Sequence, residues 1–368
     1  MIEKLNHPHI GIFILAWLVA DIGAAVLIVL AHKIGAVDRP HSYKTHTDAT
    51  PFLGGIAIFA AFAISIFSIL RFTNYSENLP LFGMIYTGVL VITMGTIDDF
   101  KPISAIIKLV VLFVITLILH QFNIAINVFP KSYDYLNLLL TLIWIVGVTS
   151  ALNSLDHWDG LAGGISAIAA LATFFIVWRN YNFFAAYEWK EYQKWVSYAS
   201  IALAGALLGF LRYNYFSPAK MFLGDNGSLF LGYILAAMSV LGAWSETDPV
   251  RSILIPCCIF AVPLYDITLS TILRYKNGIV KTMPEAIVYC GKDHLSHRLF
   301  ALGFTKKEAV LFQYGIGVTG GIMAAIFSTP IISRNQYLLM AGACVLCLAV
   351  LGVFLDKAKV YEPVITAE

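Results

Sequence analysis

About eleven apolar runs, most of them near the length of a membrane span, follow one another along this chain with short polar connections between them. A spanning helix needs roughly 20 mostly apolar residues, because each adds about 1.5 Å against a hydrocarbon core of about 30 Å. By that criterion the runs are Ile10–Leu30, Phe52–Leu70, Leu81–Ile97, Ile103–Gln121, Leu136–Leu152, Leu161–Trp178, Val196–Leu211, Leu229–Ala243, Ile253–Leu273, Val310–Phe327 and Leu338–Leu355. The expected fold class is an all-α polytopic membrane protein of ten or eleven transmembrane helices, forming one integral-membrane domain over residues 1–368. Composition agrees: 59% of residues are hydrophobic and 12% charged, against about 25% charged in soluble domains. A net charge of +2 with no basic arm gives no reason to expect a nucleic-acid partner. The first run has no basic leader before it and reads as a span, not a cleaved signal. Cys344 and Cys347 have redox-motif spacing but sit inside an apolar run, where all five cysteines read as small packing residues.

Orientation follows from the Lys and Arg of the short connections. With the N-terminus outside and the C-terminus inside, fifteen of the 24 cations fall inside and eight outside, Lys108 at a helix start being left uncounted. The polar motifs sort the same way. Asp38-Arg39-Pro40, Asp98-Asp99, Asn153-Ser-Leu-Asp156-His-Trp-Asp159-Gly160, Gly224-Asp225-Asn226-Gly227 and His294-Leu-Ser-His297-Arg298 all lie in connections of inside parity. One membrane face is expected to carry the chemistry, in a cleft on the cytoplasmic side.

Each motif has a chemical reading and a plain one. Asp98 and Asp99 are adjacent carboxylates at a membrane boundary, costly unless a cation or base compensates; the plain reading is a solvated helix end. Asp156 and Asp159 share a face if their segment is helical, and oxygen ligands of that kind suit Mg²⁺; a cap with a Gly160 turn is the rival. Asp225 stands between two glycines ahead of a span, where a ligand can approach backbone and a helix N-terminus favours anions. His294, His297 and Arg298 could meet a pyrophosphate or sugar; no third histidine or cysteine is spaced for zinc. Lys44 could neutralise a phosphate or serve as a positive-inside anchor. Asp21 and Asp266 are intramembrane acids, functional suspects by default, and are left outside the expected site.

In this order and on one face, these motifs resemble those of the polyprenyl-phosphate N-acetylhexosamine-1-phosphate transferase family, over about Val37 to Leu299. The resemblance implies attack of a polyprenyl phosphate acceptor on a UDP-sugar donor, with UMP released and a polyprenyl-diphosphate sugar formed to begin a cell-envelope polysaccharide. It implies Mg²⁺, or Mn²⁺, and a bacterial inner membrane, with a homodimer allowed for. It also implies roles: Asp159 and Asp225 as metal ligands; Asp98 and Asp99 as the pair that deprotonates the lipid phosphate or arranges the metal, with Asp156 beside them; Lys44, Asn153, His294, His297 and Arg298 as substrate contacts. Two departures stand out. Asp156 replaces the second Asn of the family's N-x-x-N-x-x-D-G-x-D-G pattern, and Ala162 replaces its last Asp, so Asp156 is expected to take over part of that carboxylate's role. The H-x-x-H-R-L form looks closer to N-acetylglucosamine-type members. The alternatives are an ion-coupled transporter, which would show midplane acids and inverted repeats, and a CDP-alcohol phosphotransferase, whose D-x-x-D-G-x-x-A-R pattern fails at Gly163 and Gly164.

Overall fold

The computed structural model describes residues 8–39, 49–70, 79–183, 190–216, 218–242, 244, 248–289, 291–358 and 360–361. Lys44 and Cys290 lie outside these. Among the described residues the chain is helical apart from a two-residue antiparallel ribbon, Val37–Asp38 with Thr50–Pro51. The helices are α1 (His9–Ile34), α2 (Gly54–Leu70), α3 (Leu79–Phe100), α4 (Ala105–Gln121), α5 (Asp134–Ser154), α6 (Leu161–Phe183), α7 (Lys190–Asn214), α8 (Gly224–Leu241), α9 (Pro249–Ile259), α10 (Ala261–Lys276), α11 (Met283–Val288), α12 (Leu295–Ala301), α13 (Lys306–Phe327) and α14 (Arg334–Leu355). Seven of them, or eight spans with α9 and α10 taken together, are long and apolar enough to cross a membrane. Helices α2 and α4 are shorter apolar helices. The chain is an all-α, multi-pass membrane protein.

Lipid tails are as apolar as leucine, so membrane helices associate through close packing and not through hydrophobicity. Small residues mark where that happens. Ala16, Ala20 and Ala24 form a buried stripe along α1. Gly205 and Gly209 of α7 face it: a Cβ at either would lie 2.5 Å from a carbonyl oxygen, of Phe13 or Trp17. Helix α8 is different, buried along nearly its whole length and packed by α2, α3, α5, α6 and α7. It is the core of the molecule, and it carries Asp225 in its first turn.

Two sequence expectations change. The run Ile253–Leu273 is not one helix: α9 and α10 meet at Phe260 with an 86° bend. Pro263 has no N–H to offer the carbonyl of Ile259 and crowds it, which breaks a helix at that point. The Gly224-Asp225-Asn226-Gly227 motif is not a connection before a span but the opening turn of α8 itself.

Candidate active site

Glycine crossings bring the acidic residues together. Gly95 of α3 lies against the start of α8, where a Cβ would sit 2.4 Å from the Asn226 Cα. Gly55 of α2 meets the same turn, 2.3 Å from the Gly227 Cα. One helical turn beyond Gly95, on the same face, Asp99 reaches the open end of α8. Its Oδ1 accepts from the Asp225 N–H at 2.7 Å and its Oδ2 from the Asn226 N–H at 3.0 Å, and the Asn226 side-chain amide also donates to it. A carboxylate supplied by α3 thus caps α8, satisfying N–H groups that have no partner within the helix. The α5 crossing repeats this logic. Gly232 lies 2.6 Å, by its absent Cβ, from the Thr149 Cα. One turn away in each helix, Ser228 Oγ donates to Asn153 Oδ1 at 2.6 Å.

Asp98 points the other way. Its Oδ1 accepts from the Ile103 N–H at 2.7 Å, and its Oδ2 pairs with the Lys108 ammonium. Lys108 also lies 3.5 Å from Asp225 Oδ2. A single cation on α4 therefore bridges two of the candidate carboxylates.

Asp156 and Asp159 lie in the turn between α5 and α6, not on a helix. The helical condition for their sharing a face is not met, and the Gly160 turn is what the structure shows; both residues line the cavity from it. Gly160 adopts φ +76°, and its N–H donates to Asn214 Oδ1 at 3.0 Å. Asp159 Oδ2 accepts from the Ala219 N–H at 3.3 Å. Burial first, and then the charges of Asp225, Asp99 and Asp159, push the Asp156 carboxyl well above its ordinary range. Four acids share this region, and they repel one another. Ala162, where the family pattern has its last carboxylate, is buried in α6.

The His loop closes the site. Asp266 of α10, fully buried, accepts from the Leu295 N–H at 2.5 Å and binds His294 Nδ1 at 2.8 Å. Arg274 Nη2 lies 3.4 Å from His294 Nε2 and can only donate, so the proton of His294 sits on Nδ1. His157 Nδ1 faces the Ser154 carbonyl at 3.1 Å, so it too carries its proton there, and its Nε2 accepts from the Ser296 hydroxyl. His157 stacks on His297 with ring centroids 4.9 Å apart. Burial, reinforced by the charge of Lys292, lowers His297 to about 4.

A cavity of about 2240 Å³ joins these pieces. Asp99, Asn153, Asp156, Asp159, Asp225, His294 and His297 all line it. So do Lys108, His157, Arg274, Lys292, Lys306 and Lys307. Its lining also includes apolar residues, Leu109 and Leu112 of α4 and Ile143 and Val146 of α5. Two expected residues stand elsewhere. Asp98 is reached from the cavity through Lys108, and Arg298, 1% exposed, bonds the Asp293 carbonyl and Tyr361 and does not line the cavity. Lys108, His157 and Asp266 were absent from the expected site. Asp266 gave a signal as an acid within an apolar run; Lys108 gave none beyond its place at a helix start. Asp21, the other intramembrane acid, pairs with Arg212 at 3.1 Å, outside the cavity lining.

Among the described residues no three His, Cys, Asp or Glu side chains converge into a ready-made metal cage. The arrangement fits a different kind of cation, one that keeps its waters and takes one or two carboxylates together with substrate phosphates. With both Asp99 oxygens committed to α8, Asp156, Asp159 and Asp225 are the carboxylates along the cavity that could meet such a cation.

Residues 81–243, which run from α3 through α8, match the model of glycosyl transferase family 4. A probable undecaprenyl-phosphate N-acetylglucosaminyl 1-phosphate transferase of Bacillus subtilis is 30% identical over 89% of this chain and 87% of its own length. The chain belongs to this family. A decaprenyl-phosphate N-acetylglucosaminephosphotransferase of Mycobacterium tuberculosis is 29% identical over 86% of this chain and 81% of its own. An undecaprenyl-phosphate alpha-N-acetylglucosaminyl 1-phosphate transferase of Escherichia coli K12 is 25% identical over 81% and 77%. As a family 4 member this chain is a transferase, and the matched segment holds Asp98, Asp99, Asn153, Asp156, Asp159 and Asp225. The His loop lies outside that segment.

Proposed function

We propose that this enzyme transfers a sugar 1-phosphate, N-acetylglucosamine 1-phosphate foremost, from its UDP-sugar to a polyprenyl phosphate in a bacterial inner membrane, releasing UMP. The observation that carries this reading is a single cavity lined at once by apolar residues of α4 and α5, by the carboxylates Asp99, Asp156, Asp159 and Asp225, and by His294, His297 and Lys292. The names of the relatives in Bacillus, Mycobacterium and Escherichia supply the sugar and the lipid.

Each part of the cavity has a task. The apolar wall of α4 and α5 accepts the polyprenyl chain and ends at Lys108, whose ammonium meets the lipid phosphate. Asp98 and Asp225 hold that ammonium in place. Asp98 or Asp99 is the candidate acceptor for a proton of that phosphate. His294, His297 and Lys292 face the donor, and Lys44 is expected to reach the same phosphates. Phosphoryl transfer asks chiefly for in-line positioning and charge neutralisation, and bare carboxylates would repel a pyrophosphate. Mg²⁺, or Mn²⁺, held by Asp159 and Asp225 with Asp156 nearby, supplies that neutralisation when bound.

The test is direct. Purified protein is incubated with undecaprenyl phosphate, Mg²⁺ and a panel of UDP-sugars, and UMP is measured. UMP should appear with UDP-N-acetylglucosamine, stop with EDTA and return with Mg²⁺. No UMP from any donor overturns the reaction; turnover indifferent to EDTA overturns the cation.

A further inference from the structure

Three buried side chains and a half-buried tyrosine that this chemistry leaves aside close a polar ring behind the His loop. Arg274 grips both oxygens of Asp293, Nε to Oδ2 and Nη2 to Oδ1, each at 2.7 Å. Tyr361, beyond α14, donates its hydroxyl to the same Oδ2 at 2.7 Å. Arg298 Nη2 donates to the Tyr361 oxygen at 2.7 Å, and its Nε to the Asp293 carbonyl at 2.8 Å. Its guanidinium also lies 5.0 Å over the Tyr361 ring. The ring ties together α10, the loop into α12 and the segment after α14. On its cavity side, Arg274 Nη2 reaches His294 Nε2 at 3.4 Å, and Gly291, Lys292 and His294 line the cavity. Asp293, Arg298 and Tyr361 do not.

The loop needs such support. Helices α11 and α12 have six and seven residues, too short to hold their shape by hydrogen bonding alone. Apolar anchoring comes from Leu295 and Leu299, which pack in a small cluster with Leu269, Leu273 and Leu355; it fixes α12 but not the residues before it. Those residues are held by Asp293. The Asp293 carboxylate takes Arg274 directly, and the Tyr361 hydroxyl links that carboxylate to Arg298, which otherwise reaches Asp293 only at its backbone carbonyl. Without that hydroxyl, a buried carboxylate loses a donor and a buried guanidinium loses an acceptor, the costly way to lose a hydrogen bond.

We propose that Tyr361 and Arg298 are positioning residues: the segment after α14 latches the His loop, through Asp293 and Arg274, in the register that turns Lys292 and His294 toward the donor. This rests on the cavity being the donor site. On this proposal Arg298, expected as a substrate contact, serves as support.

Tyr361→Phe in the full chain removes the hydroxyl and keeps the ring over Arg298. With UDP-N-acetylglucosamine and undecaprenyl phosphate, the donor KM should rise about tenfold, the value of one well-made buried bond. Acceptor KM and kcat should stay within about twofold of wild type. Amide hydrogen exchange across residues 291–295 should quicken. Arg298→Lys keeps the charge but cannot make both bonds, and should shift the donor KM in the same direction. An unchanged donor KM and unchanged exchange in Tyr361→Phe overturn the latch, and so does a lowered melting temperature with donor KM unmoved. If the wild type transfers from no donor, the reaction proposed above falls, and the exchange measurement alone decides for or against the latch.

Discussion

Asp99 and Asp225 look equivalent as letters and are opposites as side chains. Asp99 spends both oxygens on the N-terminus of α8, whereas Asp225 is repelled by its acidic neighbours and steadied by Lys108. Asp99→Asn replaces an anion at a helix N-terminus with a group that turns an N–H₂ toward N–H donors. It should lower thermal stability by about 1–2 kcal/mol and abolish transfer as well. Asp225→Asn should also abolish transfer, yet leave the melting temperature unchanged or raised. Thermal unfolding beside UMP release separates them, and wild-type turnover in Asp225→Asn would count heavily against its place at the cation. His297 makes a pH prediction. Its folded value of about 4 lies below the ordinary 6.5, so the unfolded chain binds the extra proton. The stability this contributes is present in full above pH 6.5 and is lost as pH falls from there toward 4. His297→Gln should flatten that part of the stability profile. An unaltered acid limb would show that His297 is not held neutral by its surroundings.

Elements explain what could and could not be read from the letters. Apolar length marks out most of the spans, and acids in the connections of one parity mark out Asp98, Asp99, Asp156, Asp159 and Asp225, because both signals are read directly along the chain. Convergence is not local. Nothing in the spacing reveals that Gly95 lets α3 approach α8 so that Asp99 becomes its cap, that Lys108 reaches two carboxylates from another helix, or that Arg298 turns away from the cavity toward Tyr361. The bend at Phe260 was readable in principle from Pro263, but hydropathy averages over it. Gly95→Val tests the crossing itself. Its side chain would enter space held by the Asn226 backbone, which cannot yield as a flexible side chain does. The expected cost is about 1–3 kcal/mol, with transfer lost because Asp99 is drawn away from α8. Near-normal activity in Gly95→Val would mean that the site does not depend on this close approach.

At the scale of the whole molecule, the polar motifs of one parity meet in one cavity, and the remaining question is which compartment that cavity faces. The charge argument predicts the cytoplasmic one. Lys276, Lys281, Lys292, Lys306 and Lys307 lie in the connections around α11 and α12, and such a concentration of cations in short loops is retained on the cytoplasmic side. The proposed donor, a nucleotide-sugar, demands the same side. Lys281 is exposed and does not line the cavity, so Lys281→Cys, in a variant whose native cysteines are replaced by alanine or serine, reports orientation without touching the chemistry. In intact cells a membrane-impermeant maleimide should leave that thiol unlabelled, and permeabilisation should expose it. The reciprocal site is Lys131, before α5 on the opposite face by parity, where Lys131→Cys should label in cells whose outer barrier is open but whose inner membrane is intact. Labelling of Lys281→Cys without permeabilisation would turn the molecule over. The cavity would then face away from cytoplasmic nucleotides, and the proposed donor would have to be abandoned with the orientation.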